Sequence, residues 1–157
     1  MSIIQTIRRQ FWLSVGLLTA MSATLLLMPW ASGIADRTGN WSIRIVGVLF
    51  WLFAIAGYSM VMKANANRKR FLHKRFGCDT QTNLKPGVFC VFSNKMAEIA
   101  DIMLVIFAMA FLVALFTQLK STYYIIVILS CLVWAANMHC LFNGKVYRTI
   151  KNDHKER

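Results

Sequence analysis

Four uncharged or nearly uncharged stretches of membrane-spanning length dominate this chain, and they restrict what it can fold into more than any motif does. A hydrocarbon core about 30 Å thick takes roughly 20 apolar helical residues at 1.5 Å rise per residue. Residues 11–30, 45–62, 102–119 and 121–144 each meet that length between flanking charges. The sequence therefore predicts an all-α, polytopic membrane protein of 157 residues, with four transmembrane helices in an antiparallel bundle and a cytoplasmic basic loop at 63–101. No stretch is left over for a separate soluble catalytic domain, which needs at least about 50 residues. Arg8 and Arg9 ahead of the first stretch resemble the start of a signal peptide. The apolar run exceeds an ordinary signal core of about 7–15 residues, so a retained signal-anchor is expected.

Eighteen Lys and Arg against six Asp and Glu give a net charge of +12. In a chain this apolar, with 57% hydrophobic residues, that excess points to membrane topology rather than to nucleic acid. Fifteen of the eighteen fall in the N-terminal arm, the middle loop and the C-terminal tail, and only Arg37, Arg44 and Lys120 fall between spans on the other side. Positive residues in short loops stay cytoplasmic, so both termini and the middle loop are expected inside, in the plasma (bacterial inner) membrane. Trp30, Trp41, Tyr123 and Tyr124 fit an outer aromatic belt, and Phe11, Trp12 and Tyr147 an inner one. Small residues at four-residue spacing, Gly16, Ala20 and Thr24 in the first span, are expected to form a helix-packing seam, as are Gly47, Ala54 and Gly57 in the second.

The chemistry-bearing residues collect near one boundary. Glu98 and Asp101 share a helical face that continues through Val105, Ala108 and Leu112 and is expected to turn toward the bundle. One reading leaves these acids as complements to a helix N-terminus and to the basic loop. A sharper one pairs an acid with His139 across the hairpin of spans three and four, as a proton-responsive contact at the membrane boundary. Asn137 and Asn143 complete the candidate polar cluster; a buried Asn in a membrane helix usually bonds a neighbouring helix. Span four carries Ser130, Asn137, Cys140 and Gly144 on one face, with His139 and Asn143 on the opposite side. Ser93 or Asn94 is expected to cap span three, after a turn at Pro86 and Gly87.

The stretch 63–76 is basic and aromatic, is able to prolong span two as a helix, and should stop at Gly77. Arg68, Lys69, Arg70, Lys74 and Arg75 are its candidate contacts with anionic lipid headgroups, although Arg68 and Arg75 fall in the apolar arc of that helix. Four cysteines do not make a redox pair: Cys78 and Cys90 lie in the loop expected to face a reducing compartment, and Cys131 and Cys140 form no Cys-x-x-Cys. His73, Cys78 and Cys90 fit no familiar zinc spacing. No phosphate loop, dinucleotide fingerprint, nucleophile elbow or His-Glu-x-x-His helix occurs. No catalytic, cofactor or metal site is therefore assigned. The expected role is a non-enzymatic accessory, regulatory or immunity-type subunit that works through helix contacts with a membrane-protein partner or a second copy. Alternatives are a small transporter or channel, and less readily a membrane enzyme using Glu98, Asp101 and His139. Small drug exporters also have four spans, but they rely on a carboxylate inside the first, where this chain has none.

Overall fold

A computed structural model describes residues 3–77, 89–117 and 121–155; the Cys78 and Pro86–Gly87 expectations lie outside that range. Among the described residues there are seven helices and no strand: α1 (Ile3–Leu25), α2 (Met28–Gly33), α3 (Ala35–Thr38), α4 (Trp41–Phe76), α5 (Lys95–Phe116), α6 (Thr122–Phe142) and α7 (Lys145–Lys155). Four segments, containing α1, α4, α5 and α6, are long and apolar enough to cross a membrane.

The first of these departs from the expected boundaries at both ends. Helix α1 begins at Ile3, two turns before Phe11, because Ile4 and Ile7 are buried in a cluster with Ala64, Leu72, Val146 and Ile150. At the other end α1 stops at Leu25, where Leu26 and Leu27 donate their N–H groups three residues back in a tight turn. Pro29, which lacks an N–H and would clash with the preceding turn of a continuous helix, instead sits in the first turn of α2. The link to α4 passes through Gly39 and Asn40, both with left-handed backbone (φ 58° and 65°). Ser42 ties it back by donating to the Ala31 carbonyl at 2.7 Å.

Helix α4 runs for 36 residues, about 54 Å, well beyond a bilayer core. Its last fourteen residues are the basic stretch 63–76, which prolongs the second span as continuous helix in the way the sequence allows. Gly77 ends it in a left-handed cap (φ 69°), its N–H bonded to the His73 carbonyl at 3.0 Å. Helix α5 is capped by Asn94, whose Oδ1 accepts from Ala97 N at 3.0 Å. The break between α6 and α7 falls at Asn143 and Gly144, where a Cβ on residue 144 would lie 2.9 Å from the Cys140 carbonyl oxygen.

The long helices pack unequally. Helix α1 is central, with α4 along one side and α6 along another, and α5 packs along α6. A third of the apolar window is buried in the segments of α1 and α6, against 17% in those of α4 and α5. On α1 the buried positions Ile7, Phe11, Ser14, Leu18 and Met21 advance by alternating fours and threes, the spacing of a helix–helix seam. This differs from the small-residue stripe read from the sequence. Gly16 is exposed with no neighbour within 4 Å of an added Cβ, and Gly47 has none either. Only Ala54 and Gly57 of the second stripe lie in the seam, and Gly57 faces Leu18 so closely that a Cβ would sit 2.8 Å from its side chain. Phe11 is also a core residue rather than a boundary aromatic: it is 2% exposed, with Tyr147 and Phe142 rings at 5.4 and 5.9 Å.

Candidate functional site

The contacts just described bring the first turns of α1, the second half of α4, the first turns of α5, the last turns of α6, and α7 together at one end of the molecule. Most of the basic residues are carried there, while Arg37 and Arg44 lie at the other end, where Arg44 covers the Trp41 ring at 5.3 Å. Two polar constructions occupy the basic end.

The first is centred on Asp101, in the second turn of α5 and only 2% exposed. Such a carboxylate is tolerated away from water only if its lone pairs are filled. Three donors fill them. His139 Nδ1 lies 2.5 Å from Oδ1, Asn143 donates Nδ2 to the same oxygen at 2.8 Å, and the Phe92 backbone N–H reaches Oδ2 at 2.6 Å. His139 donates in this contact in the tautomer that carries its hydrogen on Nδ1. His139 and Asn143 sit one turn apart on α6, which is why both reach a single acid.

The cluster extends into residues 92–94, the bend that leads into α5. Ser93 donates to Asn143 Oδ1 at 2.7 Å, and Asn94 Nδ2 donates to the Phe142 carbonyl at 2.9 Å. Phe92 is left-handed (φ 52°), an uncommon conformation for a bulky residue, and its bond to Asp101 fixes it there. The arrangement locks the chain before α5 onto the end of α6. A carboxylate with three donors in place acts here as an internal clamp.

The structure separates the remaining candidates. Glu98 is exposed and outside the cluster. The face expected to continue from Asp101 into the bundle does not: Val105 and Leu112 are 61% and 46% exposed, and α5 buries Ala97, Ala100, Asp101 and Ala114 instead. Asn137 points elsewhere on α6. It accepts from the Tyr58 hydroxyl at 2.8 Å and donates to its own helix at Val133, thereby joining α6 to α4. Ser130 donates to the Ser22 carbonyl at 2.6 Å, joining α6 to α1.

The second construction corrects the expected lipid-facing set. Lys69, Arg70, Lys74 and Arg75 are exposed, but Arg68 is 1% exposed and belongs to the interior between α4 and α7. Its Nε donates to Thr149 Oγ1 at 3.1 Å. The reason is register: Ala64, Arg68 and Leu72 repeat every fourth residue on the face of α4 that meets α1 and α7, so the guanidinium enters a seam position. Arg75 is anchored as well, 3.7 Å from Asp153 of α7.

Among the described residues Cys90, Cys131 and Cys140 form no disulfide, and no group of three His, Cys, Asp or Glu is placed to hold a metal ion. Compared with protein-family profiles, with curated proteins and with solved structures, the chain finds no match.

Proposed function

We propose that this chain is a non-enzymatic accessory, regulatory or immunity-type subunit of a plasma (bacterial inner) membrane, its four spans alternating in direction with the basic end in the cytoplasm. The observation that carries the reading is the occupancy of Asp101: its three donors hold the protein to itself, so the one buried carboxylate of the cluster has a structural task. A protein of this kind communicates through helix faces. The two outer helices supply them, with Val48, Trp51, Ile55 and Met62 in an exposed stripe on α4, and Ile102, Val105, Met109 and Phe116 on α5. A membrane-protein partner or a second copy would bury one of these stripes by close van der Waals packing, which is what drives helix association in lipid.

Photocrosslinking in native membranes tests the proposal. A benzophenone side chain replacing Ile55 or Val105 should yield a discrete adduct heavier than the monomer from one stripe. Recovery of monomer alone from both positions, together with solute flux in proteoliposomes, would favour a small transporter or channel.

A further inference from the structure

A groove of about 280 Å³ opens between α4 and the α6–α7 junction at the basic end, with Phe11 of α1 in its lining. Its walls change character along their length. Val61, Met62 and Leu141 make one part apolar, and Asn65 with Lys145 lines the part beyond, where the uncharged stretches of α4 and α6 end. A groove that is greasy toward the bilayer and cationic at the boundary matches an amphiphile with an apolar chain and an anionic head. The volume admits a segment of one hydrocarbon chain. The same end of the protein also carries exposed Lys69, Arg70 and Lys74, which attract anionic headgroups to it.

We infer that this groove is a binding site for an anionic phospholipid, one acyl chain lying against Phe11, Val61 and Leu141 and the phosphate meeting Lys145. The site is separate from the exposed basic face read from the sequence, because it holds a lipid between helices and not on a surface. Gly144 lets the chain turn between α6 and α7, where a side chain would press on the Cys140 and Leu141 carbonyls, and Lys145 follows that turn in the lining of the groove. The inference stands independently of the accessory role proposed above.

The test uses the full chain in phosphatidylcholine nanodiscs containing a small fraction of either phosphatidylglycerol or phosphatidylcholine with a diazirine on the acyl chain. After photolysis, adducts are mapped by peptide mass spectrometry. Segments 61–65 and 140–146 should be labelled about fivefold more by the anionic probe, the effect of one Lys beside an anionic headgroup. Lys145→Glu should bring that ratio to one or below. Val61→Trp, which fills the groove, should suppress labelling of both segments by both probes and leave residues 105–109 of α5, where Val105, Ile106 and Met109 are exposed, unchanged. Equal labelling by the two probes, a preference that survives Lys145→Glu, or groove labelling no denser than that of 105–109 would each overturn the site. Should Val61→Trp fail to give monodisperse protein, the probe ratio and Lys145→Glu decide alone.

Discussion

Removing the Asp101 carboxylate is the most informative perturbation, because three separate parts of the chain converge on it. In Asp101→Ala the His139 ring, the Asn143 amide and the Phe92 N–H all lose their acceptor. A buried donor left without a partner costs about 1–3 kcal/mol. Because His139 retains some access to solvent and Phe92 is an exposed residue, the low end of that range applies, giving about 3 kcal/mol in all. On a scale of about 2–4 °C per kcal/mol for chains of this size, the thermal midpoint in detergent should fall by about 6–12 °C. Asp101→Asn keeps one acceptor oxygen and should lose roughly half as much. The clamp also makes a local statement that a midpoint alone cannot. Amide exchange at Phe92 and Ser93, just before α5, should accelerate in both variants by more than it does at Ala114, at the far end of α5. An Asp101→Ala protein with an unchanged midpoint, or with exchange raised uniformly along α5, would refute the clamp.

Three further outcomes follow from the packing and the charge distribution. Gly57→Ala should destabilise by about 1–3 kcal/mol because its Cβ meets Leu18, itself 1% exposed, whereas Gly16→Ala, with open space around it, should be neutral or stabilising by up to about 1 kcal/mol; thermal melts of the two variants side by side check the seam. Arg68→Ala should cost about 2–4 kcal/mol through the void it leaves and the loss of the Thr149 bond, while Lys69→Ala on the exposed face should stay within about 0.5 kcal/mol, as read by chemical denaturation of purified protein. For topology, a cysteine introduced by Asn40→Cys should react with an impermeant maleimide on intact cells while Cys78 does not; the reverse pattern would invert the proposed orientation.

Charge spacing in the sequence was enough to find the four apolar helices, because a membrane span is defined by an uninterrupted length, which is a one-dimensional property. Local chemistry was legible for the same reason: the Asn94 cap and the Gly77 stop depend on neighbours within one turn. His139 and Asn143, four residues apart, could be placed on a common face of α6, and helix depth brought Asp101 to a similar height. Tertiary structure alone decided the rest, since it depends on how each helix is rotated about its axis. That rotation buries Asp101 while leaving Glu98 outside, puts Leu18 rather than Gly16 in the seam of α1, and carries Arg68 out of the basic face into the interior. It also forms the Lys145 groove, from residues about eighty positions apart that periodicity never relates. In a sequence where every face of a span is apolar, periodicity cannot single out the face that meets protein from the face that meets lipid. Only the packed helices make that distinction.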